Sequence, residues 1–349
     1  MTRFKGPLRK QTSQRPPRWF GDESGVALFI VLWVVTLLMV VAGQFGFAVR
    51  HELKSLRQFK ESTEADYIAE AGLSRGVYEL LRDRRPGEEI DEDDVGEEVP
   101  DWRINTAIPP VTFSNGRYRV RIDNASGRIN LNTAGDALLR LMLNRTELSD
   151  IDKAGIVDAI LDWRDADDLH RLNGAESDYY QTLPRPYNCK NGNFDTTDEL
   201  LFVKGITPEI YHGVIREMVT VINDPIAQIS SVRTALRRRG NSDDQRININ
   251  AAPPAVLLSL PEMNTDLMDA IVSFRAERDF RNLADISDTI GAEVMGAISP
   301  FISFELSPYY IIRSEGMVNM SPVKRRRTVM IRIDPTLPER FVVLQHLDG

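Results

Sequence analysis

One uninterrupted apolar stretch, residues 26–49, limits what this chain can fold into. It reads VALFIVLWVVTLLMVVAGQFGFAV and contains no charged side chain. About twenty apolar residues in a helix cross a bilayer core about 30 Å thick, and a helix satisfies the backbone hydrogen bonds that hydrocarbon cannot. The stretch therefore predicts a membrane-spanning helix. A cleaved secretory signal peptide is the alternative, but its apolar core is shorter, about 7–15 residues, and ends in a small-residue cleavage site.

Charge is unequal on the two sides of this stretch. Residues 1–25 contain six Lys or Arg and two acidic residues. Because basic residues beside a membrane span stay in the cytoplasm, we expect a cytoplasmic N-terminus and the chain after Arg50 across the membrane. The 349 residues carry a net charge of −8 despite this basic leader, so the remainder is acidic. An acidic protein is a poor ligand for nucleic acid, which binds clustered Lys and Arg.

Helical periodicity continues beyond the apolar stretch. Apolar residues recur with helical spacing from Val49 to Leu81, and Pro86 ends the pattern. The sequence therefore predicts one long helix over residues 26–86. A dense acidic run at residues 88–98 follows. Repulsion between its like charges predicts a solvated loop, and a cation or partner site is the alternative.

Alternating apolar and polar residues predict β-strands on both sides of a central region. Residues 102–106 and 118–122 alternate and are separated by Asn115-Gly116, a hairpin turn signal. Near the C-terminus, residues 309–312 and 328–333 alternate in the same way. The chain is therefore expected to have an α+β fold with a long N-terminal helix, an antiparallel sheet and a large all-α insertion.

The central region contains an internal repeat. The segment RINLNTA at residues 128–134 recurs as RININAA at residues 246–252. Each copy precedes two apolar helical segments, and the asparagine ahead of the helix is expected to act as its N-cap. The predicted helices cover residues 137–143 and 156–164 in the first copy and residues 255–260 and 267–275 in the second.

Both copies resemble degenerate helix-hairpin-helix units, which often bind DNA. DNA-binding copies carry a Gly-apolar-Gly hairpin whose backbone N–H groups contact a phosphate. Here residues 143–147 read LNRTE and residues 260–264 read LPEMN, so both glycines are missing and Glu262 would repel phosphate. We therefore interpret the units as packing modules. A membrane-anchored DNA-binding protein of an uptake system is the alternative function.

The first copy carries an insertion, residues 165–193, that the second copy lacks. It is rich in carboxylates and amides and has little apolar content. Such loops suit calcium, which takes about six to eight oxygen ligands, and a long loop needs something to order it. A solvated acidic loop is the alternative. Cys189 in this insertion is the one cysteine of the chain, so no intramolecular disulfide can form.

Several segments together resemble the K subunit of type II secretion systems, a minor pseudopilin related to type IV pilins. They are the basic leader with Gly25 before the apolar helix and residues 160–168, 174–180, 198–206, 246–253, 309–316 and 327–333. The fifth residue after Gly25 is Ile30. Most pilins have a Glu there, and its loss is known in the K subunit. The resemblance covers nearly the whole chain and is specific in combination.

The resemblance implies a processing site, a location and partners. Prepilin peptidase would cut between Gly25 and Val26 on the cytoplasmic face. The mature chain would be a single-pass protein of the bacterial inner membrane with a periplasmic C-terminal domain. It would cap the pseudopilus tip with the I and J minor pseudopilins and support export of folded proteins across the outer membrane. No nucleic acid partner and no enzymatic activity are expected, since the sequence carries no P-loop or metalloprotease motif.

The resemblance also implies calcium bound in the helical region. The predicted ligands are the carboxylates of Asp165, Asp167, Asp168, Glu176, Asp178 and Asp195. The predicted domains are a leader at 1–25, a pilin-like helix at 26–86, a first part of the α/β domain at 99–127, the all-α insertion at 128–222, a second part of the α/β domain with the second repeat unit at 223–337, and a C-terminal tail at 338–349.

Overall fold

The computed structural model describes residues 23–82, 102–106, 108–222 and 245–346. The leader up to residue 22, the acidic run at 88–98 and residues 223–244 lie outside this described part. Two compact units divide the chain, residues 1–60 and residues 61–349. The second unit contains the sheet, the remaining helices and the candidate site.

Helix α1, Glu23–Arg82, confirms the long N-terminal helix that the sequence predicts. Among the described residues it is the one helix long and apolar enough to cross a membrane. Most side chains of its apolar part, from Val26 to Val49, are exposed, as expected of a segment whose natural surroundings are hydrocarbon. The predicted processing site, Gly25 and Val26, lies within the first turns of α1.

The second unit is built on a five-stranded antiparallel sheet. Its strands, in spatial order, are β1 (Val111–Phe113), β2 (Gly116–Asn124), β7 (Tyr309–Val318), β8 (Lys324–Ile333) and β9 (Phe341–His346). In β2 every second residue is buried from Tyr118 to Ile122, and this period of two directs one face of the sheet to the core. Residues 338–349, the predicted C-terminal tail, contain the strand β9.

The part of α1 that belongs to the second unit, residues 61–82, covers one face of the sheet. Ala65 and Ile68 are buried there in one hydrophobic cluster with residues of β2, β7 and β8. A Cβ at Gly316 in β7 would lie 2.1 Å from the carbonyl oxygen of Ala65, so the glycine lets helix and strand approach closely. Beside this contact, Nε of Arg327 in β8 donates a hydrogen bond of 2.7 Å to the carboxylate of Asp66 in α1.

The chain between β2 and β7 forms a helical region. Its helices are α2 (Asp136–Leu143), α3 (Asp150–Arg164), α4 (Ser177–Gln181), α5 (Pro208–Ile210), α6 (Pro254–Leu257), α7 (Thr265–Glu277), α8 (Leu283–Ile290) and α9 (Ala292–Ile298). Turns of 3-10 or π-helix cover Ala125–Gly127, Thr197–Phe202, Tyr211–Ile215 and Ser299–Phe301. Two parallel strand pairs close the region, β3 (Ile129–Asn130) with β4 (Val219–Thr220) and β5 (Ile247–Asn248) with β6 (Ile302–Ser303). Buried residues of both repeat copies belong to one hydrophobic core.

The predicted strand at residues 102–106 is wrong, because this segment forms a turn. Asn105 adopts the left-handed conformation with φ of 56°. Its backbone N–H donates to the carbonyl oxygen of Ile122 at 2.7 Å, and its side-chain amide donates to the carbonyl oxygen of Ala251. Both partners are distant in sequence, and these contacts override the local alternation of apolar residues.

The hairpin before β2 turns one residue earlier than predicted. Phe113 pairs directly with Gly116, so Ser114 and Asn115 form the two-residue loop, and Ser114 has φ of 51°. Gly116 is instead the first residue of β2, where a Cβ would lie 2.6 Å from Cδ1 of Ile68 in α1. A Cβ there would also lie 2.2 Å from the carbonyl oxygen of Met317 in β7, so the missing side chain of Gly116 makes room for the neighbouring strand as well as for the helix.

Candidate metal site and the repeat units that hold it

Each repeat unit contains the same asparagine clasp, a side-chain amide that holds the backbone of a distant phenylalanine. In the first unit, Nδ2 of Asn132 donates to the carbonyl oxygen of Phe194 at 2.9 Å, and the N–H of Phe194 donates back to Oδ1 at 2.7 Å. In the second unit, Asn250 and Phe280 make the same pair of bonds at 2.9 and 2.8 Å. Because both phenylalanines are fully buried, the clasps satisfy backbone groups that water cannot reach.

Each unit also carries, in the last turn of its second helix, an arginine that binds the repeat segment. Arg164 of α3 donates to the carbonyl oxygen of Leu131 at 2.5 Å. Arg275 of α7 donates to the equivalent Ile249 at 3.0 Å and to Ala252 at 2.8 Å. Arg275 is 3% exposed, and this burial lowers its pKa to about 10. The two units are therefore equivalent in their polar contacts as well as in sequence.

The expectation that the repeated asparagine caps the following helix is wrong. Oδ1 of Asn130 accepts from the N–H of Asn132 at 3.0 Å, and Asn248 makes the same bond to Asn250 at 2.8 Å. These side chains therefore close the turn between strand and helix. The N-cap of α2 is Gly135, which has no side chain to offer.

The insertion lies between Arg164 and Phe194, two residues that bind the repeat segment of the first unit. Residues 165–193 separate Arg164 from Phe194, whereas residues 276–279 separate the equivalent Arg275 and Phe280. A hydrogen bond of 3.3 Å from the N–H of Gly192 to the carbonyl oxygen of Trp163 joins the two ends of the insertion directly. The insertion is therefore a loop with fixed, adjacent ends.

Asp162, fully buried on α3, organises the start of the insertion. Its carboxylate accepts from the N–H of Ala175 at 2.9 Å and from the N–H of Arg171 at 3.1 Å, and the Arg171 guanidinium binds it at 2.6 Å. A Cβ at Gly174 would lie 1.9 Å from this carboxylate, so the turn requires glycine. Sequence reasoning did not select Asp162 as a site residue, since its partners are set by the folded loop.

Three of the six predicted ligands line one pocket of the insertion. They are Asp168, Glu176 and Asp178, and the amide side chains of Asn188 and Asn191 line the same pocket. Leu169, His170, Ser177 and Cys189 complete the wall. Nδ2 of Asn191 donates to Asp168 at 2.9 Å, so the first and last parts of the insertion meet at this pocket.

The other three predicted ligands have partners of their own. Asp165 binds the guanidinium of Arg171 at 2.6 Å through Oδ2, and Asp167 accepts from the N–H of Leu169 at 2.9 Å. The side chain of Asp195 is 81% exposed and pairs with Lys190 at 2.7 Å. Asp195 does not line the pocket, which is formed by the residues named above.

Glu176 is the most unusual group in the pocket. It is 1% exposed, and neither carboxylate oxygen accepts a hydrogen bond from a nitrogen or a hydroxyl group in the described part of the chain. Burial raises the pKa of this carboxyl, the neighbouring Cys189 thiol lowers it, and the negative charges of Asp162 and Asp165 raise it again. A buried carboxylate whose only donor among the described residues is a weak thiol costs free energy, so this position suits a cation.

The donor set fits a hard cation. Oδ1 of Asn191, which lines the same pocket, is also buried without a hydrogen-bond partner, which adds an amide oxygen to those of Glu176. Within the described ranges, no three His, Cys, Asp or Glu side chains stand in a metal-binding arrangement. A cation here would therefore need amide or backbone oxygens among its ligands, as calcium commonly has.

The repeat hairpins show how the fold turns without the glycines of DNA-binding units. Glu262, at the tip of the hairpin before α7, adopts φ of 57°. Glu262 thus takes the left-handed conformation that glycine adopts most readily, and it brings a negative charge to this hairpin. This geometry agrees with the interpretation of the units as packing modules.

The arrangement of elements defines a class of protein: a pilin-like helix on an antiparallel sheet, with a helical region inserted between two central strands. Residues 122–224 match the family model described as Type II secretion system (T2SS), protein K. A crystal structure of the GspK-GspI-GspJ complex from the enterotoxigenic Escherichia coli Type 2 Secretion System contains a chain with a similar fold. The TM-score is 0.51 at 16% identity, over 86% of this chain and 99% of that chain.

Two curated relatives are proteins of the same kind. Type II secretion system protein K of Aeromonas hydrophila is 24% identical over 294 residues, which are 77% of this chain and 81% of the relative. Protein K of Pseudomonas aeruginosa is 26% identical over 280 residues, 76% of each chain. These matches confirm the resemblance to type II secretion system protein K predicted from the sequence, and the structural match confirms the predicted α+β fold.

Proposed function

We propose that this chain is the K-type minor pseudopilin of a type II secretion system, and that it caps the pseudopilus tip with the I and J subunits to support export of folded proteins. The observation that carries the proposal is the similarity to proteins named type II secretion system protein K over about three quarters of the chain. The fold neighbour comes from a complex of GspK with GspI and GspJ, which supports the choice of partners. A structural role of this kind involves no catalysis.

The proposal includes a membrane location and a processing step. The apolar part of α1 would anchor the chain in the bacterial inner membrane as a single pass, with the N-terminus cytoplasmic and the second unit periplasmic. Prepilin peptidase would cut between Gly25 and Val26. Ile30 stands where most pilins have a Glu that pairs with a neighbouring subunit. A subunit at the tip has no subunit above it, so it does not need this carboxylate.

The proposal also includes calcium as a structural cation. Glu176 would hold it together with the amide oxygen of Asn191 and backbone oxygens, and the carboxylates of Asp168 and Asp178 line the same pocket. Calcium would neutralise the buried charge of Glu176 and fix the two sides of the insertion to each other. Asp165 and Asp167 lie in the same loop, whereas the pairing of Asp195 with Lys190 argues for a place outside the ligand set.

Co-expression of the full chain with the I and J subunits of its own secretion system tests the proposed assembly. After detergent extraction, affinity purification of a tagged I subunit is expected to recover this chain and J, and the three should elute together in size-exclusion chromatography. Absence of this chain from the complex would contradict the proposal. Micromolar binding of duplex DNA that weakens steeply with salt would instead favour the alternative DNA-binding function.

A further inference from the structure

The sheet face opposite α1 is strongly basic. On β2 the outward positions are Arg117, Arg119 and Arg121, all exposed, while the residues between them are buried. The neighbouring strands add three more cations to the same face, Arg313 on β7 and Lys324 and Arg326 on β8. Because alternate residues of a strand lie about 6.6–6.8 Å apart, the three arginines of β2 form an evenly spaced row.

The strand register identifies which members of the basic sequence 324–327 contribute. Arg325 and Arg327 point to α1, where they bind Ser62 and Asp66. Lys324 and Arg326 point the other way, beside Met317 and Glu315 of β7. The basic run is therefore divided between a structural role at the helix and the open face of the sheet.

Carboxylates on this face are too few to balance the cations. Asp123 binds Arg121 at 2.9 Å and also Arg313. Glu315 lies 3.9 Å from both Lys324 and Arg326. Arg117 and Arg119 have no ion pair within the part of the chain that the structure describes.

The register also places like charges directly opposite each other. Arg121 pairs with Arg313 across β2 and β7, an arrangement that destabilises a sheet. Burial lowers the pKa of Arg313, and the positive charges of Arg121 and Arg326 lower it further. Asp123 offsets the repulsion between these two arginines, whereas Arg117 and Arg119 have no such carboxylate among the described residues. The surplus of positive charge at these two positions indicates a use for the potential.

We propose that this basic face, Arg117, Arg119, Arg121, Arg313, Lys324 and Arg326, binds an extended acidic segment of another protein. The carboxylates of such a segment, at alternate residues of an extended chain, repeat with the same spacing as the β2 arginines. Arginine binds carboxylates through two parallel N–H groups, and five of the six cations are arginine. Binding at this face does not depend on the identity of the pilus partners.

Two features of the face favour a polypeptide over a nucleic acid or an anionic membrane. Glu315 lies directly between Arg119 and Arg326 in the register, where it would repel a continuous polyphosphate. The whole chain carries a net charge of −8, which opposes approach to a large polyanion. A short acidic segment can place its carboxylates beside the arginines and leave the position of Glu315 uncharged.

The test uses the full chain in detergent and a fluorescent peptide of alternating Glu and Ser, with a Gln and Ser peptide as the uncharged probe. Binding is measured by fluorescence anisotropy at about 50 and about 200 mM salt. The double variant Arg117→Gln/Arg119→Gln is expected to weaken binding of the acidic peptide at least about tenfold, the equivalent of one charge-assisted hydrogen bond. Unchanged melting temperatures would show that both forms fold.

Arg145→Gln/Arg185→Gln is the matched control, since both arginines are exposed and lie in the helical region. It is expected to bind the acidic peptide as the wild type does. Equal losses in the two variants, or equal binding of the Gln and Ser peptide, would overturn the proposal. Tighter binding of duplex DNA or of phosphatidylglycerol vesicles than of the peptide would assign the face to another ligand. If the peptide binds only after the acidic residues at 88–98 are replaced by the corresponding amides, the basic face is assigned to that segment of the same chain.

Discussion

Replacing Glu176 with glutamine is expected to change stability in opposite directions with and without calcium. The carboxylate is 1% exposed and has neither a nitrogen nor a hydroxyl donor among the described residues. Without calcium, Glu176→Gln removes a buried charge and keeps the shape of the side chain. With calcium, it removes a negatively charged ligand from the proposed site.

The magnitudes follow from the burial of Glu176 and from linkage. A buried amide without partners still costs about 1–3 kcal/mol, and a buried charge costs more. In chelator, Glu176→Gln removes only the difference between these two costs, so its free energy of unfolding is expected to exceed that of the wild type. Wild-type protein in calcium at about 100 times its dissociation constant gains about 2.7 kcal/mol. At about 2–4 °C per kcal/mol, calcium should raise the wild-type melting temperature by roughly 5–10 °C. The variant should lose most of this rise.

Thermal melts of the full chain in detergent, in chelator and in calcium, provide the measurement. Glu147→Gln removes an exposed carboxylate outside the pocket and is expected to follow the wild type in both buffers. A lower melting temperature of Glu176→Gln in chelator would contradict the buried unpaired carboxylate. An equal calcium shift in wild type and Glu176→Gln would refute the place of this residue in the site.

The same group gives a pH dependence with a defined sign. Burial raises the pKa of Glu176 in the folded state above its ordinary value of 4.5. The folded protein therefore binds this proton more tightly than the unfolded chain does. Stability without calcium is expected to rise as the pH falls through the raised pKa and to level off below the ordinary value. Melts of Glu176→Gln across the same range should lack this contribution, and an identical pH profile would contradict it.

Two further predictions concern the packing of the second unit. Gly316→Ala places a Cβ 2.1 Å from the backbone of α1 and is expected to destabilise the fold by about 3 kcal/mol. Gly296→Ala, in a helix with open space around it, should be neutral or stabilise by about 0.5–1 kcal/mol. Equal changes in the free energy of unfolding for the two variants, measured by chemical denaturation, would contradict the helix–sheet contact. Asn250→Ala and Asn132→Ala each leave a buried phenylalanine backbone without partners and should each cost about 1–3 kcal/mol. A large effect of only one of them would contradict the equivalence of the repeat units.

Local patterns were sufficient for the elements whose partners are near in sequence. The periodicity from Val49 to Leu81 predicts α1, and the alternation at residues 309–312 and 328–333 predicts two strands, which the structure pairs as β7 and β8. The strand at residues 102–106 was wrong, although Trp102 and Ile104 alternate with polar residues. The conformation of this segment is set by hydrogen bonds of Asn105 to Ile122 and Ala251. A local sequence pattern cannot show such contacts.

The repeat revealed two equivalent units but not the role of each residue. The asparagines were interpreted as helix caps because Asn often precedes a helix, whereas Asn132 and Asn250 hold phenylalanines that lie 62 and 30 residues further along the chain. Oxygen-rich composition likewise located the candidate cation loop. It could not reveal that Arg171 and Lys190 would occupy two of the six carboxylates, since those pairings arise only when the loop closes.

The mass of the mature chain tests the central claim most directly, because a pseudopilin must be processed before it can enter a pilus. The full chain is expressed in cells with and without an active prepilin peptidase, extracted from the membrane fraction and measured by intact mass spectrometry. The account predicts that the chain begins at Val26 when the peptidase is active and at Met1 when it is absent. A chain that keeps residues 1–25 in both strains would contradict the account.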